Sequence, residues 1–144
     1  MTVLLLSALA AHAFLVFVSN VQDPGCNLEY VRHVISMDTI PNGKLSNRAI
    51  TSDRWAISLF VAVIFLELVI WLFCGAGAIL YLVGSVYAKE ISTVGLMASI
   101  SLWLLGCKTI GMEWFQAWRS KEYKFGDGTT SMIVITILIW LGLK

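Results

Sequence analysis

WAISLFVAVIFLELVIWLFCGAGAILYLVGSVYA, residues 55–88, is the longest apolar stretch of the chain and carries a single charge, Glu67. Arg54 and Lys89 bracket it, so the run reads as a membrane-crossing helix with one acid inside. At ~1.5 Å per residue the run outreaches a bilayer core of ~30 Å, and it must tilt, bend or project. Gly75-Ala76-Gly77 is the predicted bend. Splitting the run would leave a second piece too short to cross, so one helix is the expectation. A carboxyl at Glu67 has almost no water to ionise into. It must find a partner, keep its proton or line a wet cavity.

The rest of the chain has the same character. Of 144 residues, 58% are hydrophobic and 13% charged, against roughly 25% charged in a soluble domain. Mean hydropathy is +0.82. Lipid is therefore the main solvent. A net charge of +1 gives no electrostatic case for nucleic acid. Three further apolar runs predict four spans at about 3–19, 54–88, 92–118 and 129–143, in one transmembrane domain covering residues 1–144. The first run contains Ala11-His12-Ala13, a small-x-small cleavage form, but no Lys or Arg precedes it as in a signal peptide. The class expected is all-α, an integral membrane four-helix bundle.

Loop 20–53 is long for a small bundle. Asp23-Pro24-Gly25 and Pro41-Asn42-Gly43 are turn signals, and between them Leu28, Val31, Val34 and Ile35 recur at helical spacing. A short interfacial helix over about 28–37 follows, with Arg32 and His33 on its polar face. It either covers the end of the bundle or docks a partner subunit. Gly126-Asp127-Gly128 should break the chain before the fourth span. Trp114, Phe115, Trp118, Tyr123 and Phe125 should sit at headgroup level. Basic residues, Lys124 among them, concentrate in the first and third loops, which places both termini outside.

Lys89-Glu90 reads as the tight turn between the second and third spans. With a turn centred near residue 90, positions summing to about 180 share a depth. Glu67 then lies level with Glu113, with Lys108 five residues away. Two acids and a base in one region predict a polar clamp, a protonatable site or a wet cavity, unless Glu113 sits at the interface. The same register puts Gly75 by Leu105, Gly77 by Trp103 and Gly106 by Cys74, a small-residue seam for helix packing. His12 is the one histidine inside a span and reads as a hydrogen-bonded structural residue, since His33, in the loop, offers no second haem ligand. Cys26, Cys74 and Cys107 show no metal spacing. No catalytic, cofactor-binding or metal-binding set is expected.

Several segments resemble a family of bacterial predicted small integral membrane proteins grouped as a domain of unknown function. They are FVSNV (17–21), VRHVISMDT (31–39), RAITS (48–52), Glu67 and GMEWFQAWRS (111–120), in similar order and spacing over nearly the whole chain. The resemblance implies a four-helix membrane protein without an established activity. Lys108 stands where the family pattern is apolar. A bacterial inner membrane is the implied location, with the mitochondrial inner membrane as the alternative. Two functions follow as expectations: a non-catalytic accessory subunit of a larger, for example energy-transducing, membrane complex, or a small carrier or proton-handling protein using Glu67 and Glu113. A membrane enzyme or haem protein using His12 is a third.

Overall fold

The computed structural model of the protein describes residues 1–41, 43–121 and 128–143, and all regular structure among them is helical. Helix α1 spans Thr2–Gln22, α2 Pro24–Ser36, α3 Asp53–Leu82, α4 Ala88–Ile100 and α5 Gly128–Gly142. From Ser101 to Trp114 the chain continues α4 as a wider π-helix. Three helical stretches are long and apolar enough to cross a membrane: Thr2–Gln22, Asp53–Leu82 and Ala88–Trp114. The fourth apolar helix, α5, has 15 residues and falls short of that length. Tyr123, Lys124, Phe125, Gly126 and Asp127 of the expected third loop lie outside the described residues, as does Asn42.

Helical form follows from the solvent. Within hydrocarbon every backbone polar group must be satisfied inside the segment. Large apolar side chains such as Phe65, Leu72 and Ile79 of α3 remain exposed on the outside, the surface that lipid covers. The interior is built by Leu6 and Ala10 of α1, Ile70 and Cys74 of α3, Leu96 of α4 and Ile139 of α5. The hydroxyls of Ser99 and Thr136 meet at 2.8 Å and tie α4 to α5. Thr136 gives its own proton to the Met132 carbonyl at 2.7 Å, so Ser99 is the donor of the pair.

Helix α3 ends at Leu82 rather than 88. Gly84 adopts a left-handed φ of 67°, the Gly84 N–H donates to the Tyr81 carbonyl, and the Ser85 N–H donates to that of Leu80 at 2.9 Å. This is a Schellman stop, which needs a residue without a Cβ at its left-handed position. The turn therefore centres near residue 85. Gly77 packs against Ser92, where an added Cβ would overlap the hydroxyl, and Gly95 packs against Cys74, where a Cβ would lie 2.6 Å from Sγ. Both pairs sum to 169 rather than the expected 180. Of the glycines predicted for the seam, Gly77 lies in it, opposite Ser92 instead of Trp103. Gly75 instead faces Ala10 of α1, where an added Cβ would lie 3.8 Å from that of Ala10, and a Cβ on Gly106 would meet only its own helix, at the Ser101 carbonyl.

The first part of the first loop is helical. Helix α1 continues to Gln22 and α2 starts at Pro24, because Asp23-Pro24 forms a helix start as well as a turn. The Asp23 carboxylate accepts from the Cys26 N–H at 3.4 Å, and proline occupies the first helical position. The apolar face of α2 turns inward with Val34 and Ile35, which join Met37, Ile40, Ala56 and Phe115 in a second core at one end of the bundle. Three polar contacts fasten that cap. The Ile50 N–H donates to the Ile35 carbonyl at 2.8 Å, Thr39 Oγ1 donates to Ser120 Oγ at 2.9 Å, and the Arg48 guanidinium donates to the Trp114 carbonyl at 3.2 Å. Arg48 also lies over the Trp114 ring, 4.4 Å from its centroid. Trp114 and Trp118 are exposed, as residues at headgroup level should be, whereas Phe115 is buried in the cap.

Candidate functional site

Antiparallel pairing of α1 with α3 decides the surroundings of Glu67. With Ala10 beside Gly75, the last turn of α1 comes level with the middle of α3. Asn20 Nδ2 then donates to both carboxyl oxygens of Glu67, at 2.8 and 2.9 Å. Both residues are buried, Glu67 at 2% exposure and Asn20 at 5%. A carboxylate has about four acceptor positions. Among the described residues Asn20 is the one hydrogen-bond partner of Glu67, and no cation pairs with it. Much of the acceptor capacity of this group is unused inside an apolar surrounding.

Glu67 and Asn20 line a cavity of about 300 Å³. The end of α1, the inner face of α2, the first half of α3 and the π-helix border it. Its walls are largely aliphatic, with four aromatic rings, Tyr30, Phe60, Trp103 and Phe115. Asn27 and Cys107 add further polar atoms. Burial pushes the Tyr30 phenol up to about 12, with a smaller contribution from Cys107, so it stays neutral in ordinary buffers.

The π-helix shapes this space. Its i→i+5 bonding is visible where the Phe115 N–H donates to the Ile110 carbonyl at 3.0 Å, and the Thr109 hydroxyl separately donates to the Leu104 carbonyl at 2.8 Å. The wider helix takes more than four residues per turn, so Leu102, Gly106, Gly111 and Phe115 form one row along the cavity. Gly106 presents no side chain there, which leaves part of the volume open.

The predicted grouping of Glu67, Lys108 and Glu113 is not assembled. Glu67 is buried against Asn20, Lys108 is half-buried beside the cavity row, and Glu113 is exposed. Among the described residues neither Lys108 nor Glu113 makes an ion pair. Two physical causes combine. The earlier turn places Glu67 level with Leu102 instead of Glu113. Then the eleven residues from Leu102 to Glu113 make about three turns of an α-helix, which would keep one face. They make only about two and a half turns of the π-helix, which puts Glu113 on the opposite side.

His12 sits at the middle of α1 and is exposed, its ring 5.9 Å from that of Trp103 on the π-helix and tilted by 49°. The Trp103 Nε1 atom is buried and makes no hydrogen bond among the described residues. Arg32 and His33 of α2 engage the chain's own acids. Arg32 Nε lies 2.9 Å from Asp53 Oδ1, while His33 reaches Asp38 at 2.7 Å and Glu29 at 3.6 Å. Sequence reasoning missed Asn20 altogether as a site residue. Its signal was an amide near the end of an apolar run, inside the FVSNV segment.

The segments that carry the family resemblance come together in space. Residues 31–39, 48–52 and 111–120 build the cap, while 17–21 brings Asn20 to Glu67. No characterised protein and no solved structure matches the chain. A family model described as predicted small integral membrane protein (DUF2165) matches residues 1–144, and the chain belongs to that family of integral membrane proteins.

Proposed function

We propose that this protein is a small membrane carrier whose working group is Glu67, exchanging a proton in the cavity beside it. The observation that carries the reading is a carboxyl at 2% exposure, held by a single amide, on the wall of a cavity of about 300 Å³. Ionisable groups kept inside a membrane are costly and concentrate on ion and substrate paths. Glu113, exposed and on the other side of the π-helix, has no part in this reading. The bundle is completed by α5 as a short fourth crossing, supported by its apolar sequence and its hydroxyl tie to α4. Resemblance to a bacterial family supports residence in an inner membrane.

Infrared difference spectra of the purified protein in lipid, recorded over a pH series, test the reading. A protonated-carboxyl band that appears and disappears with pH, and is missing in Glu67→Gln, is the expected result. A Glu67 carboxyl that never changes protonation overturns it.

A second reading, a non-catalytic subunit of a larger membrane assembly, is favoured by His12. An exposed ionisable side chain at mid-helix calls for cover by another protein surface. Native mass measurement after gentle extraction tests it, and a stable lone monomer counts against it.

A further inference from the structure

We propose that the Glu67 cavity binds a lipophilic organic cation, a single positive charge carried on an apolar body about the size of one substituted aromatic ring. The inference rests on the carrier reading above and names the class of its cargo. Four features of the cavity select for such a molecule. Glu67 borders the cavity and no described cation of the protein pairs with it, so its negative charge, once formed, has no counterion in the protein. In a surrounding of low polarity an unpaired carboxylate attracts a positive charge far more strongly than it would in water. The rings of Tyr30, Phe60, Trp103 and Phe115 line the same space and can face a cation with their π surfaces. The remaining walls are aliphatic, so the body of the ligand replaces lipid contacts with protein contacts at no loss.

The same chemistry excludes other cargo. A strongly hydrated inorganic cation would lose its water for one carboxylate, the amides of Asn20 and Asn27 and the Tyr30 phenol, fewer oxygens than a hard cation's full shell. An anion would find no positive side chain among the lining residues, and Glu67 would repel it on ionising. A neutral apolar molecule would fill the volume and leave the carboxyl unpartnered. A lipophilic cation alone satisfies both the charge and the walls, and in binding it displaces the carboxyl proton to solvent. The other titratable groups lining the cavity are Tyr30 from α2 and Cys107 from the π-helix, and α1 presents none there. One proton is therefore exchanged for one cation.

The test uses the full chain in lipid nanodiscs and trimethylphenylammonium as probe, with tert-butylbenzene as a neutral molecule of the same shape. Calorimetry in buffers of different ionisation enthalpy counts the protons. Expected are saturable binding of the cation, release of about one proton, and affinity rising about tenfold per pH unit while Glu67 is protonated. Glu67→Gln should weaken binding at least tenfold, by the loss of a buried charge partner. Gly106→Leu fills part of the cavity from a position where an added Cβ meets only its own helix and leaves Glu67 and Asn20 in the chain, and it should abolish binding while the infrared carboxyl band persists. Absence of cation binding to the wild-type chain overturns the inference, and so does equal binding of tert-butylbenzene or undiminished binding by Glu67→Gln. A carboxyl that titrates in a protein that binds no cation defeats this inference and leaves the carrier reading standing. A carboxyl that does not titrate defeats both.

Discussion

The amide nitrogen of Asn20 lies 2.8 and 2.9 Å from the two oxygens of Glu67, forty-seven residues away, and joins the end of α1 to the middle of α3. Both side chains are buried, so each is the means by which the other tolerates an apolar surrounding. Asn20→Ala should therefore cost about 1–3 kcal/mol, because it strands a buried acceptor. In a double-mutant cycle with Glu67→Ala the two losses should fall well short of additive. Thermal unfolding in detergent measures this, and simple additivity would show that the contact is not formed.

The hairpin register predicts opposite fates for two glycines of similar sequence character. At Gly95 an added Cβ would lie 2.6 Å from Cys74 Sγ and 2.9 Å from the Cys74 backbone nitrogen. Gly95→Ala should destabilise by about 1–3 kcal/mol as α3 and α4 are forced apart. At Gly75 the nearest atom would be Ala10 Cβ at an ordinary 3.8 Å, and Gly75→Ala should be neutral or mildly stabilising. Melting temperatures of the two variants decide the register, since a turn centred near residue 90 gives Gly95 no reason to be sensitive.

Lys108 and Glu113 should be dispensable for folding. Neither takes part in an ion pair among the described residues, so Lys108→Leu and Glu113→Gln should each change stability by less than about 0.5 kcal/mol. A loss several times larger in either variant, read by the same thermal assay, would restore the charged clamp that the sequence suggests.

At Tyr30 the effect is on pH. Its phenol is pushed from 10.0 up to about 12 by burial first and Cys107 second. The sign follows directly. Below 10 both folded and unfolded chains keep the proton and Tyr30 contributes no pH dependence. Between about 10 and 12 the unfolded chain ionises while the folded chain does not, so stability falls as pH rises through that window. Tyr30→Phe should flatten the decline, measured by chemical unfolding at stepped alkaline pH. An identical decline in both proteins would place the phenol in water.

The cap offers a covalent test of tertiary structure. Thr39 Oγ1 and Ser120 Oγ are 2.9 Å apart although eighty-one residues separate them. Thr39→Cys combined with Ser120→Cys should form a disulfide under mild oxidation, since side chains that close satisfy the reach of the bond. Failure to cross-link, followed by a gel shift after thiol labelling, would mean that the first loop does not fold back on the end of the π-helix.

Much of the architecture was open to reading in one dimension because lipid makes composition decisive. A run such as 55–88 has one stable form in hydrocarbon, and Gly84, two residues past the end of α3, is a helix-stop signal present in the sequence itself. The amphipathic spacing of Leu28, Val31, Val34 and Ile35 likewise announced α2. Glu67 announced itself as the one charge in the run 55–88. Its partner did not, because an amide in a distant helix has no periodic signature.

What the chain determined alone is therefore its solvent and its helices, through the cost of unsatisfied backbone and unpaired charge in an apolar medium. What tertiary structure decided is which polar groups meet. A turn five residues earlier and a helix wound wider than the α form rotate Glu113 outward, while the pairing of α1 with α3 delivers Asn20. Side-chain direction depends on accumulated turn angle and rise, and those are set by contacts between helices rather than by the residues of any one of them.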